Sequence, residues 1–210
     1  RLCSMEKILK QKKIDYLLHF TRAENLENIL KYGLLPKNVL LYKRIPTVFN
    51  DEYRYDNCED AVCTSIEFPN YKMFYTLRQD NPEVDWVVLL LDAKILCDFD
   101  CAFCCENAGS ANMYQTDIES RKGIKAFLKL FDEQAGCYSR NEMNLPSYYP
   151  TNPQAEVLVF ANIPVEYIKC VYFYNYKTMN KYANLFDDTN MCEVNTCFFY
   201  GRKDYTFWQN

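Results

Sequence analysis

The chain has 210 residues, 49% of them hydrophobic, enough for one compact domain with its own core. Its 28 acidic and 24 basic side chains leave a formal net charge of -4. That balance excludes a general duplex-DNA binder, whose affinity comes from neutralising phosphates, and restricts any nucleic-acid contact to a local, unpaired strand.

The elements are read in chain order, with one domain expected over 5–210 and Arg1-Leu2-Cys3-Ser4, ahead of Met5, expected to be a leftover of cloning. Residues 5–15 read as a helix, with Ile8, Leu9 and Ile14 apolar among lysines. Tyr16–Thr21 reads as a strand. Ala23–Tyr32 has Leu26, Ile29 and Leu30 at the spacing of one helix face, with Gly33 as C-cap and Pro36 beyond it. Residues 37–58 are polar and broken, so a loop is expected. Ala61–Phe68 is a strand closed by Pro69-Asn70, Tyr71–Gln79 a short helix, and Trp86–Leu91 an apolar strand. Residues 98–155 carry little strand signal, one helix at 123–131 and a polar run over 135–153. Glu156–Phe160 and Cys170–Tyr174 read as strands, and Cys197–Tyr200 alternates again. Short strands mixed with few helices give an α+β fold rather than an alternating βαβ one.

Several chemistries are excluded. The five glycines are too scattered for GxGxxG or a P-loop, so neither form of phosphate cradle is present. The eleven cysteines are odd in number and follow no signal peptide, which reads as reduced thiols in a cytoplasmic protein. Cys97, Cys101, Cys104 and Cys105 include one CxxC, but no second pair follows and the sole histidine is remote, so buried thiols are expected and no metal. The run Val87–Leu91 is too short to span a bilayer. No local pattern marks one thiol as the nucleophile of a Cys–His hydrolase.

Two pairs of residues carry chemistry. His19 and Thr21, two apart on a strand, share a face, where an imidazole and a hydroxyl hydrogen-bond a ribose or an amide. The alternative is a satisfied core histidine beside a β-former. Gln154 and Glu156 stand where the polar run enters an apolar strand, again two apart. A carboxylate there is costly unless exposed or paired. It is either an edge carboxylate in solvent or an active-site acid beside a substrate-gripping amide.

A Gln-x-Glu entering a strand, with a histidine-bearing strand far upstream, resembles the ADP-ribosyltransferase arrangement. The ordered stretches HFTRAENLENILKYGLL (19–35), NDEYR (50–54), SIEFPNYKMFY (65–75), WVVLLLD (86–92), CAFCCENA (101–108) and YPTNPQAEVLVF (149–160) resemble the DarT family of DNA ADP-ribosyltransferase toxins. That family has a thymidine-modifying and a guanosine-modifying branch, both acting on single-stranded DNA. The HFT opening and SIEFPNYKMFY are more similar to the guanosine branch. The resemblance implies two small sheets forming an NAD cleft, with NAD as co-substrate. It implies Glu156 and Arg54 as catalytic residues, and His19, Thr21, Asn25, Tyr71 and Tyr75 as NAD-binding residues. Phe74 of the same aromatic cluster is expected in the core. Gln154, Arg140, Tyr148 and Tyr149 would meet the DNA, the tyrosines by stacking on unpaired bases. A partner antitoxin with a macrodomain or related ADP-ribose hydrolase fold is also implied. Against these stand a non-catalytic nucleotide-binding module and a transferase acting on protein or RNA.

Overall fold

A computed structural model describes residues 3–50 and 58–209. Eight α-helices and seven strands are seen among the described residues. The strands are β1 (Tyr16–Arg22), β2 (Val62–Ile66), β3 (Trp86–Asp92), β4 (Cys101–Cys104), β5 (Glu156–Val159), β6 (Ile168–Phe173) and β7 (Cys192–Val194). They form one sheet in the order β4-β5-β2-β1-β3-β6-β7, antiparallel except for the β6–β7 pair. The fold is therefore α+β, but its two expected small sheets are one continuous sheet. Strand β2 is what joins the halves: its first residues pair with β5 and its last two with β1.

That sharing leaves a gap. Strand β1 pairs with β3 along its whole length, from Tyr16↔Asp92 to Arg22↔Trp86. With β2 it makes only Leu17↔Ile66 and Leu18↔Ser65, and then the two strands part.

The helices are α1 (Ser4–Lys12), α2 (Leu26–Tyr32), α3 (Lys37–Tyr42), α4 (Tyr71–Asp80), α5 (Ile95–Asp98), α6 (Ala111–Tyr114), α7 (Gly123–Lys129) and α8 (Tyr176–Tyr182). Helix α1 stops at Lys12 because Lys13 turns into the left-handed region at φ 60°. It starts ahead of Met5, with the Cys3 Sγ accepting from the Glu6 N–H at 3.3 Å. Helix α2 ends at Gly33, whose φ is 83° and whose missing Cβ would lie 2.2 Å from the Ile163 carbonyl oxygen. Only glycine lets Leu34 bridge to Ile163 there.

Strand parity sorts the core. Val87, Leu89, Leu91, Val157 and Val159 point to one face, into a large cluster with Leu9, Leu26, Ile95 and Phe127 of the helices. The other face carries two separate clusters. Phe74 of α4 packs with Leu18, Trp86, Val88 and Leu90 in one, and Ala102, Cys104 and Leu158 form the other. The space between those two clusters meets the gap between β1 and β2. Among the described residues no helix is long and apolar enough to cross a membrane.

Candidate active site

The gap opens into a cavity on each face of the sheet. On the α2 side lies a pocket of about 180 Å³, walled by His19, Thr21, Asn25, Ile29 and the 47–50 segment. On the other side lies a cleft of about 490 Å³, walled by Leu18, Phe20, Ser65, Met73, Leu77 and Glu156. His19, Phe20, Asn50 and Cys63 line both, so these residues form the wall that the two cavities share.

His19 stands in the gap itself. Its Nδ1 is 2.7 Å from the Cys63 carbonyl oxygen. A carbonyl only accepts, so this nitrogen carries the proton and donates. The ring thus takes the place of the next backbone rung between β1 and β2. Thr21 is buried, and its hydroxyl accepts from the Asn25 Nδ2 at 3.1 Å. The same amide clamps the following segment twice: Nδ2 donates to the Val48 carbonyl at 3.0 Å, and Oδ1 accepts from the Val48 N–H at 2.9 Å. Asn25 therefore fixes the pocket wall opposite His19.

Glu156 is not an edge carboxylate in solvent. Strand β5 lies between β4 and β2, and the residue is 4% exposed. Parity places it with Leu158, on the face away from the large cluster. Its Oε2 accepts from the Ala108 N–H at 2.7 Å, and its Oε1 from the Asn70 Nδ2 at 3.4 Å. Asn70 is itself buried and caps α4 through Oδ1, which accepts from the Met73 N–H at 3.3 Å. A buried charge needs such donors to offset its lost hydration. The result is a held carboxylate at the wall of the cleft, suited to developing positive charge or to accepting a proton.

The remaining expected site residues are placed as follows. Arg54 lies outside the described residues. Helix α4 turns Met73 and Leu77, not Tyr71 and Tyr75, into the cleft; the latter two line a separate groove, Tyr75 at 58% exposure. The reason is helical: Asn70, Met73 and Leu77 share one face, and residues 71, 75 and 78 the next one round. Phe74 is in the core, as expected, stacked on Phe20 at 4.5 Å. Gln154 stays in the turn before β5, where its N–H donates to the Asn152 Oδ1 at 2.9 Å, so it is not a strand neighbour of Glu156.

Arg140 is spent on its own loop. Nη1 donates to the Tyr149 carbonyl at 2.8 Å and the Thr151 Oγ1 at 2.9 Å, and Nη2 to the Pro146 carbonyl at 2.9 Å. It holds residues 146–151 rather than offering a bare cation to phosphate. Tyr148 and Tyr149 meet edge to face at 4.8 Å, half-buried. Burial pushes the Tyr149 hydroxyl up to about 12, so it stays a neutral donor.

Sequence reasoning missed the second clamp on this loop. Arg202 and Asp204 are both 2% exposed and pair twice, Nε–Oδ1 at 2.6 Å and Nη2–Oδ2 at 2.7 Å. Arg202 also donates to the carbonyls of Pro150 at 2.8 Å and Thr151 at 3.1 Å. The tail thereby fixes the segment that leads into Glu156. Asn70 was read only as part of the Pro69-Asn70 pair that closes a strand, and Ala108 contributes a backbone N–H that no side-chain pattern reveals.

No group of three or more metal-ligating side chains is present among the described residues. Cys101 and Cys104 are buried within β4, and burial pushes the Cys97 and Cys101 thiols up to about 12.

The family described as "ssDNA thymidine ADP-ribosyltransferase, DarT" matches residues 18–200. The chain belongs to the DarT family. It is thus a member of a family of single-stranded-DNA ADP-ribosyltransferases. Solved DarT structures share its fold. One is Thermus sp. 2.9 DarT in complex with carba-NAD+, at TM-score 0.60 and 13% identity, covering 88% of this chain and 97% of that one. The same protein in complex with ADP-ribosylated ssDNA gives TM-score 0.58 and 15% identity over 90% and 97% of the two chains. Thermosipho africanus DarTG in complex with ADP-ribose gives TM-score 0.59 and 16% identity over 88% of this chain, which spans 50% of that protein. No curated protein matches.

Proposed function

We propose that the chain transfers ADP-ribose from NAD to a guanine base in single-stranded DNA, with Glu156 as the catalytic carboxylate. The observation that carries this is the buried, doubly held carboxylate of Glu156 on the wall of the cleft beside the gap between β1 and β2. Binding alone does not need a carboxylate there. The donor and acceptor class are supported by the relatives solved with carba-NAD+ and with ADP-ribosylated ssDNA.

The two cavities suit the two halves of a dinucleotide, with His19 between them. In this reading His19, Thr21 and Asn25 hold the co-substrate on the α2 side. Glu156 accepts a hydrogen bond from the 2′-hydroxyl of the ribose that reacts. Its charge stabilises the positive charge that grows on that sugar as the bond to nicotinamide breaks. The guanine nitrogen loses a proton as its bond to the anomeric carbon forms, and Glu156 accepts it, with Arg54 shaping the carboxylate's charge. Nicotinamide leaves with the electron pair of the broken bond. Gln154, Tyr148 and Tyr149 meet the base from the preceding loop, which Arg140 and Arg202 hold in place. A partner antitoxin with an ADP-ribose hydrolase fold goes with this reading, as the agent that removes the modification.

Guanine is favoured by the HFT opening (19–21) and the 65–75 stretch. A second reading, thymine, is favoured by the description of the matching family. A paired guanine would have to be unpaired and extruded, so duplex DNA is expected to be a poor substrate. Short oligonucleotides, each lacking one base, are incubated with NAD and read by mass spectrometry. One ADP-ribose on guanine-containing strands alone supports the proposal. Modification of a guanine-free, thymine-containing strand moves the chain to the second reading and leaves the role of Glu156 intact.

A further inference from the structure

The groove behind α4 has no role in the reaction above. It holds about 600 Å³ and lies between the outer face of α4 and residues 199–205. Its walls are Tyr71, Lys72, Tyr75, Arg78, Tyr200 and Tyr205, and among the described residues no acidic side chain lines it. In a chain with net charge -4, a groove lined by two cations and, among the described residues, no acid is a local positive site. Large aromatic side chains are usually turned inward, yet Tyr75, Tyr200 and Tyr205 are 58%, 57% and 48% exposed. Tyr174, itself 43% exposed, sets Tyr200 in place through a 3.0 Å contact between the two hydroxyls.

The groove is also built rather than loose. Arg78 lies 4.5 Å from the Phe74 ring centre, and its Nη2 donates to the Phe199 carbonyl at 2.6 Å. Its Nε is buried with no hydrogen-bond partner among the described residues, and so is the Tyr71 hydroxyl. Burial with neutral neighbours costs such donors their hydration. Helix α4 borders both the cleft and this groove, since Met73 and Leu77 line the one and Tyr71, Tyr75 and Arg78 the other. A helix with its side chains is about 10–12 Å across, so the groove is within a few nucleotides of the acceptor base.

We infer that this groove is a second binding track for single-stranded DNA. It holds the nucleotides that flank the modified one, stacking their bases on the exposed tyrosines and placing their phosphates beside Lys72 and Arg78. The inference rests on the proposed acceptor being a single strand. Stacking on aromatic rings tolerates any base, so the track adds affinity and length dependence without adding sequence preference.

The test uses the full chain and two fluorescent single strands, a trinucleotide and a dodecamer, read by anisotropy without NAD. The dodecamer is expected to bind at least tenfold more tightly than the trinucleotide. The double variant Tyr200→Ala/Tyr205→Ala is expected to lose roughly 5- to 100-fold in dodecamer affinity, with transfer to the trinucleotide unchanged. Tyr200→Phe/Tyr205→Phe keeps the rings and is expected to bind like the parent. Lys72→Ala is expected to lower the salt dependence of dodecamer binding by about one unit of slope. Equal affinity of the parent for both lengths, or parental binding by the double alanine variant, overturns the track. Absence of any ADP-ribose transfer by a parent that shows the length dependence would instead sink the enzymatic reading and leave the groove standing.

Discussion

Replacing Arg202 by methionine tests the claim that the tail holds the loop ahead of Glu156. The guanidinium is 2% exposed, pairs with Asp204 through two nitrogens, and donates to the carbonyls of Pro150 and Thr151. Methionine keeps the bulk and deletes every donor. Asp204 is then left as a buried carboxylate supported by the Trp208 Nε1 donor at 2.8 Å. Removing one partner of a buried pair costs about 3–5 kcal/mol. For a chain of this size 1 kcal/mol corresponds to about 2–4 °C in Tm, so the expected fall is roughly 6–20 °C. Differential scanning fluorimetry measures it. The double variant Arg202→Met/Asp204→Leu removes the stranded charge as well and is expected to recover most of the loss. At a temperature well below either transition, the single variant is expected to transfer ADP-ribose at least tenfold more slowly, because residues 150–155 no longer hold Glu156 to one position. An Arg202→Met protein that melts within about 2 °C of the parent would refute the reasoning, since a buried bidentate pair cannot be removed so cheaply.

Glu156→Gln is expected to lower the transfer rate by about a hundred- to thousandfold with NAD affinity unchanged, measured by single-turnover kinetics and calorimetry. Asn70→Ser keeps an N-cap acceptor for α4 but shortens the side chain that donates to Glu156; the expectation is a slower transfer step at saturating NAD. His19→Ala is expected to weaken NAD more than a short single strand in parallel titrations, and equal loss of both would return the histidine to a structural role. Overnight dialysis against a chelator is expected to leave activity untouched, and stoichiometric zinc by elemental analysis would contradict this.

The parts of the fold that were legible are those whose periodicity is set by one buried face. Strands β1 and β3 and helix α2 fall where the sequence puts them, and Gly33 closes α2 as expected. Strand β4 was hidden because all four of its residues are buried, so no alternation shows; α7 and the third cluster cover its two sides. The polar segment 37–58 contains α3, which has no buried residue and so no apolar stripe to announce it. Cys197–Tyr200 was read as alternating, but Phe198, Phe199 and Tyr200 are consecutive aromatics with no period of two. Cys197–Phe199 is a tight 3₁₀ turn that drives Phe199 against Phe74, with ring centres 5.5 Å apart. At the site, His19 and Glu156 stood out because each breaks an apolar strand. Tyr71 and Tyr75 were misplaced because a helix face cannot be assigned until the helix is docked. Arg202 escaped notice because a charged residue in a tail reads as solvated until its partners are known.

The parting of β1 from β2 has one more consequence. It leaves two strand edges facing each other inside the sheet, and an open edge is a template for a strand from another chain. The His19 ring, seated on the Cys63 carbonyl, occupies the position that an incoming backbone would need. Removal of this ring would leave both edges bare to a strand of another copy. Loss of ligand binding in a variant at position 19 has a clear meaning only once the variant is shown to remain monodisperse.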